Sequence, residues 1–83
     1  MEHYIMKNIT THTGILTITG RLPRSTNGNP RYTFCIDGVN AKTAVDSSYS
    51  HEVPNYDGKT VTVTIGSHYG AATLNTIIKG DEK

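Results

Sequence analysis

The chain has 83 residues, of which 35% are hydrophobic, with a single cysteine and a formal net charge of +1. That length allows one small domain, which buries roughly 60% of the surface of its unfolded form and leaves no room for a second domain or a deep cleft. The lone Cys35 excludes an intrachain disulfide framework, and the near-neutral charge gives the molecule as a whole no long-range attraction to anionic membranes or nucleic acids.

No apolar run approaches the ~20 residues that cross a bilayer. The amino terminus, Met1-Glu2-His3, has no basic region followed by an apolar one, as a signal peptide has. We therefore expect a soluble chain with no membrane partner that stays in the cytoplasm.

Alternation of apolar and polar residues predicts three strands in the first half of the chain. The first has Leu16 and Ile18 facing inward, and Gly20 permits a bend or bulge there. The second runs over 31–36 and stops at the turn dipeptide Asp37-Gly38. The third follows at once over 39–45, so that 31–45 forms a tight hairpin.

The second half begins with a segment, 46–57, that does not alternate. There Asp46, Ser47 or Ser48 would cap a single helical turn, which Pro54 and Asn55 would end. The clearest strand follows, entered from Asp57-Gly58 and left at Gly66, with Val61, Val63 and Ile65 alternating with threonines. The last strand is predicted over 73–79, with Leu74 and Ile78 facing inward.

These patterns predict an all-β domain of five or six strands with at most one short helical turn. The outline matches the OB-fold barrel, and nearly as well an SH3-like barrel. We expect one domain over 1–83: an amino-terminal strand or arm at 1–12, the barrel at 13–79 and a tail at 80–83. The predicted inward side chains are Leu16, Ile18, Phe34, Ile36, Val45, Val61, Val63 and Ile65.

No catalytic, metal or cofactor signature is present in the sequence. The four histidines lack HxH or HExxH spacing, and Gly66–Gly70 lacks the lysine of a phosphate-binding loop. Asp46, Ser47, Ser48 and His51 are the residue types of a hydrolytic site, but helix capping explains them more simply. We therefore predict a protein that is not an enzyme, binds no cofactor and keeps Cys35 as a reduced, non-catalytic thiol.

A binding site is the remaining possibility. From Lys7 to Arg31 every charged side chain is basic, and OB-folds bind ligands with the face of strands 2 and 3 and the loops joining strands 1–2 and 4–5. Those loops are predicted at 22–30 and 66–72. The simpler alternatives are that the tyrosines only pack and that Arg21 and Arg31 pair with Asp46 or Asp57. The candidate binding residues are Arg21, Arg24, Asn27, Asn29, Arg31, Thr33, His68 and Tyr69.

Part of the chain also resembles a known group of proteins. The residues concerned are Arg21-Leu22-Pro23, Ser25, Asn27-Gly28-Asn29-Pro30-Arg31-Tyr32, Asp37-Gly38, Asp46-Ser47, Tyr49, Asn55-Tyr56 and Val61-Thr62-Val63-Thr64. Over roughly 18–65 they resemble small uncharacterised proteins encoded by bacteriophages and prophages. The resemblance implies a phage origin and a non-enzymatic role in the cytoplasm of an infected bacterium, and it transfers no binding residue.

Two hypotheses about function follow. The chain is a small barrel that binds single-stranded nucleic acid, or it is a phage accessory protein that binds and modulates or inhibits a host bacterial protein, such as a defence or replication factor. Salt dependence separates them, because contacts to phosphates release counterions and an interface with an apolar centre does not.

Overall fold

The computed structural model describes residues 7–80, which form an all-β domain, as predicted. Two single turns of 3-10 helix, Ser48–His51 and Val53–Tyr56, lie between the third and fourth strands. The five strands of the described chain are β1 (Lys7–Leu22), β2 (Arg31–Ile36), β3 (Val39–Lys42), β4 (Thr60–His68) and β5 (Ala71–Gly80).

The strands close into a ring in the order β1-β2-β3-β5-β4, with β4 returning to β1. Inserting β5 between β3 and β4 gives an OB-fold-like Greek key. All neighbours are antiparallel except β3 and β5, which are parallel and meet at one residue pair, Lys42 and Thr73. The ring is therefore joined more sparsely between β3 and β5 than elsewhere.

The first strand is longer than the sequence predicts and serves both halves of the ring. Its amino-terminal half pairs with β4 and its carboxyl-terminal half with β2. A bulge between Ile18 and Gly20 lies in the β2-paired half, as the glycine suggests. The strand begins at Lys7, so part of the predicted arm belongs to the sheet, while residues 1–6 and 81–83 lie outside the described residues.

The core confirms most of the predicted inward positions. Ile18 is only half-buried and packs against this core. Two of the predicted inward positions are wrong, since Val45 is 41% exposed and Ile78 is 58% exposed. Val45 lies beyond the end of β3 at Lys42, so the alternation no longer governs it. The buried hydrophobic residues are Leu16, Phe34, Ile36, Ala41, Val53, Val61, Val63, Ile65 and Leu74.

The connection between β3 and β4 contains two helical turns rather than one. Ser47, one of the three residues predicted as a cap, caps the first turn. Its hydroxyl accepts a hydrogen bond from the Tyr49 amide at 3.1 Å. Pro54 lies in the first positions of the second turn instead of ending the first, which suits its fixed φ and missing donor. The second turn begins with Val53, which is fully buried in the core.

Among the described residues, no helix is long and apolar enough to cross a membrane.

Candidate nucleic-acid interface

The segment between β1 and β2, residues 23–30, is a loop held in place by one carboxylate; we call it the arginine loop. Asp46 accepts hydrogen bonds from the Ser25 hydroxyl, from Asn27 Nδ2 at 2.8 Å and from Asn29 Nδ2 at 2.7 Å. Asn29 Oδ1 also lies 3.2 Å from His51 Nε2. Asn27 and Asn29, predicted to bind a ligand, thus point their side chains into the protein's own hydrogen-bond network.

The charge of Asp46 is stabilised by this network. The hydrogen bond from Ser25, followed by those from Asn29 and Asn27, lowers the pKa of Asp46 below its ordinary value, and the nearby positive charge of Arg31 lowers it further. Asp46 is therefore ionised at neutral pH. The loop's conformation depends on that charge, because an ionised carboxylate accepts stronger hydrogen bonds than a neutral acid.

Three arginines line a small cavity of about 90 Å³ beside the arginine loop, which we call the arginine pocket. The guanidinium of Arg21 lies over the Tyr32 ring, 5.9 Å from its centroid. Arg24 Nη1 donates to the Gly28 carbonyl at 3.0 Å, and Arg31 Nε is buried with no hydrogen-bond partner. The lining is Arg21, Leu22, Arg24, Pro30, Arg31 and Tyr32, and none of these described residues is acidic.

A larger groove of about 460 Å³ lies next to this pocket, and Arg31 lines both. We call it the β2–β3 groove, since Arg31 begins β2 and Lys42 ends β3. Its far wall comes from His68, Tyr69 and Ala71 at the β4–β5 hairpin, and its floor includes Thr43 and Thr73, which are buried. The ring therefore brings Arg31 together with His68 and Tyr69, which are far apart in sequence.

Thr33 and Lys42 extend the outer face of the sheet beside the groove. They are directly paired across β2 and β3, and the pair next to them, Phe34 and Ala41, is buried. Side chains of an antiparallel pair share one face, and successive pairs alternate. Thr33 is partly engaged by the protein itself, because its hydroxyl lies 2.9 Å from that of Thr19.

The loop predicted at 66–72 is instead a two-residue hairpin turn. Gly66 is buried within β4, the strand runs on to His68, and His68 pairs with Ala71. The turn residues Tyr69 and Gly70 have φ of 53° and 78°, the left-handed pair that such a turn requires. Glycine adopts this conformation freely, whereas a tyrosine does so at a cost in strain.

The strained Tyr69 has a side chain that is 94% exposed, so its ring adds little to the core. Its one ring contact described is with His68, at 4.5 Å between centroids and a 57° tilt. The ring thus makes little contact with the core that would offset the strain of its backbone conformation.

The predicted site thus divides into two groups. Arg21, Arg24 and Arg31 meet at the arginine pocket, and Arg31, His68 and Tyr69 meet at the groove, whereas Asn27 and Asn29 maintain the loop. The alternative that the arginines pair with Asp46 or Asp57 holds only in part among the described residues. Arg31 interacts electrostatically with Asp46, but the hydrogen bonds of Asp46 go to the arginine loop, and Asp57 Oδ1 accepts from the Ile18 amide at 2.9 Å.

Sequence reasoning missed two residues of this region, Lys42 and Asp46. Lys42 had a detectable signal, since it lies at an outward position of the third strand, on the face that OB-folds use. Asp46 is considered in the sequence analysis only as a helix cap, a hydrolytic residue type or an arginine partner. Its hydrogen bonds to the arginine loop have no local signal, because its partners lie 17 to 21 residues earlier in the chain.

The hydrolytic residue types in 46–51 do not converge on a nucleophile. Asp46 faces the arginine loop, Ser47 caps a helical turn, and His51 lies beside Asn29. Within residues 7–80, no group of three histidine, cysteine or acidic side chains is placed to hold a metal ion.

Comparison of the chain with protein-family models, with curated proteins and with solved structures finds no match.

Proposed function

We propose that this protein is a non-enzymatic barrel that binds single-stranded nucleic acid in the β2–β3 groove. The observation that supports this most is the meeting of two cations, Arg31 and Lys42, with the exposed ring of Tyr69 around one groove. Cations that follow the phosphates beside a ring that stacks on a base are the usual elements of a single-strand site. The groove also lies on the face that OB-folds use.

A single strand fits this arrangement better than a duplex does. The Tyr69 ring can stack only on a base whose face is free, and in a duplex both faces of each base are covered by its neighbours. The groove presents two cations and not an extended basic face, consistent with the net charge of +1. Binding would be modest in strength and sensitive to salt.

The substitution Tyr69→Asn tests the proposal directly. Asparagine adopts positive φ more readily than tyrosine does, and Asn-Gly is the preferred pair for this turn, so the variant should be at least as stable as the parent. It loses the stacking surface, which is worth roughly 1–3 kcal/mol per base, so its affinity for an oligonucleotide should fall about 5- to 150-fold. Fluorescence anisotropy and thermal unfolding measure the two effects.

The matched control is Ile15→Asn, which also removes an exposed apolar side chain, at a position 59% exposed in the half of β1 paired with the start of β4. Its affinity should equal that of the parent. If the folded Tyr69→Asn protein binds as tightly as the parent, the ring does not stack on a base and the proposal loses its main support.

A second candidate function is supported by the apolar part of the same groove. Ala44, Val45 and Ala71 line it beside the cations, and Val45 is 41% exposed, which suits a protein segment with mixed polarity. The partner would then be a host protein that the chain modulates or inhibits, such as a defence or replication factor. The resemblance to phage proteins supports this candidate equally, and it is the basis for proposing phage origin and action in the bacterial cytoplasm.

Pull-down from bacterial lysate, with and without nuclease, distinguishes the candidates. Retention that disappears after nuclease treatment supports the nucleic-acid site. A protein retained after nuclease treatment and at high salt, and released by Tyr69→Asn, supports the second candidate.

A further inference from the structure

We propose that the arginine pocket holds a terminal phosphate monoester, so that the protein prefers single strands that end in a phosphate. This inference rests on the proposed function and deepens it: the groove would hold the strand and the pocket its end. It depends on Arg21, Arg24 and Arg31, which line one cavity of about 90 Å³.

The three guanidinium groups are oriented before any ligand arrives, each by a different contact. Arg21 lies over the Tyr32 ring, Arg24 donates to the Gly28 carbonyl, and Arg31 Nε is buried. Cations that are already held in place lose little side-chain entropy when an anion binds, so the anion binds more tightly.

The described protein groups around the pocket neutralise its positive charge only in part, since Asp46 interacts electrostatically with Arg31 alone of the three arginines. No lining residue is acidic, and the nearby Asp46 directs its oxygens at Ser25, Asn27 and Asn29. Arg31 Nε is also a buried donor without an acceptor, an arrangement that proteins generally avoid. An anion that reaches this N–H would satisfy it.

A terminal phosphate suits three arginines better than an internal one does. A phosphate monoester has three strong acceptor oxygens and a charge of about −1.5 to −2 at pH 7, whereas a phosphodiester has two free oxygens and a charge of −1. Each of the three guanidinium groups can bind its own oxygen on a monoester, whereas a phosphodiester has too few free oxygens for all three. The small volume of the pocket also favours the end of a chain over a segment that must enter and leave.

The position of Arg31 connects the pocket to the groove. Because it lines both cavities, a strand whose end occupies the pocket would continue directly into the groove toward Lys42 and Tyr69. The last nucleotides of the strand would then be the ones that the protein contacts.

The test compares three oligothymidines of about eight nucleotides, within the range of OB-fold site sizes: one with a 5′-phosphate, one with a 3′-phosphate and one with hydroxyls at both ends. At pH 7 one phosphorylated strand should bind about tenfold or more tightly than the hydroxyl strand. The preference should shrink near pH 5, because the second pKa of the monoester is about 6. Equal affinities of all three strands would overturn the proposal while leaving the groove as a binding site.

The variant Arg24→Gln removes one charge of the pocket and keeps an amide that can donate to Gly28, so the loop should persist. It should abolish most of the preference, because it should weaken binding of the phosphorylated strand more than binding of the hydroxyl strand. A matched control, Lys59→Gln, removes an exposed cation at the other end of β4 and should keep the preference. An undiminished preference in folded Arg24→Gln would also overturn the proposal.

A third measurement does not depend on oligonucleotide binding. Titration with inorganic phosphate should shift the Nε–H signals of Arg24 and Arg31 in NMR spectra of the parent. The shift of the Arg31 signal should be smaller in Arg24→Gln, and the shifts of both signals should be smaller in Tyr32→Leu. If phosphate moves neither signal, the pocket is not an anion site, even where the groove binds a strand.

Discussion

The salt dependence of oligonucleotide binding is the sharpest prediction from the interface. Four cations line its two cavities: Arg21, Arg24, Arg31 and Lys42. If each neutralises one negative charge of a single strand that ends in a phosphate, the slope of log affinity against log salt is about −0.7 for each, or roughly −2.8 for the set. Affinity should then fall about fifty-fold between 50 and 200 mM salt.

The double variant Arg24→Gln/Lys42→Gln removes one cation from each cavity. Its slope should be about −1.4, so that affinity falls only ~7-fold over the same range of salt. Arg31 is left in place because its buried Nε makes its replacement a risk to folding. Anisotropy titrations at four salt concentrations measure the slope, and thermal unfolding confirms that the variant is folded.

The control for the slope is Lys59→Gln, which removes an exposed positive charge from the far end of β4. That end is roughly 26 Å from His68 along the strand, which is about twice the Debye length of ~14 Å at 50 mM salt and about four times that of ~7 Å at 200 mM. The slope should therefore keep its parental value. An unchanged slope in the double variant, or an equal flattening by Lys59→Gln, would refute the assignment of these cations to phosphates.

Three further predictions concern the fold and its polar network. Val63→Ala, at a fully buried position, should lower the free energy of unfolding by roughly 1–3 kcal/mol, whereas Ile15→Ala, at a position 59% exposed, should change it by less than ~0.5 kcal/mol; urea unfolding that shows equal losses would contradict the core assignment. The pKa of Asp46 is lowered in the folded state, so its stabilising effect is full above the unfolded-state value of about 4 and is lost as pH falls through the lower folded value. The stability difference between the parent and Asp46→Ala should thus be constant from about pH 5 to 7 and narrow in more acidic solution, and a difference independent of pH would rule out the network. Cys35→Ser, at a half-buried free cysteine, should melt and bind as the parent does, and a selective loss of binding would show that the thiol contacts the ligand.

The regular strands could be predicted because one face is buried and the other is not. In β2, and in β4 as far as Ile65, apolar and polar residues alternate, and Phe34, Val61 and Val63 are buried as expected. The amino-terminal half of β1 gives no such signal, since nearly all its side chains are exposed and many are threonines. Its strand conformation comes from pairing with β4, which is a tertiary interaction that the local sequence does not encode.

The turns were predicted less well, because glycine has more than one structural use. Gly66 was expected to end the fourth strand, yet it is buried within it, and Tyr69-Gly70 forms the turn. A tyrosine at positive φ runs against local propensity, so sequence reasoning passes over it. Such conflicts between local preference and structure are expected at functional sites.

The candidate site could be predicted only in part, for a similar reason. The arginines were found from their density in the chain, but whether a polar side chain faces solvent or another loop depends on contacts across the fold. Asn27 and Asn29 look identical in sequence to ligand-binding residues until Asp46 is placed beside them.

The sparse joint between β3 and β5 has a consequence for how binding and folding are coupled. These strands meet at the single pair of Lys42 and Thr73, and both residues line the groove. Separation along this joint is the opening of the ring that breaks the fewest ladder hydrogen bonds, and it also dismantles the groove. A ligand that contacts both Lys42 and Ala71 would hold β3 and β5 together. The melting temperature would therefore rise with the concentration of the ligand, and amide hydrogen exchange would slow first at the ends of β3 and β5.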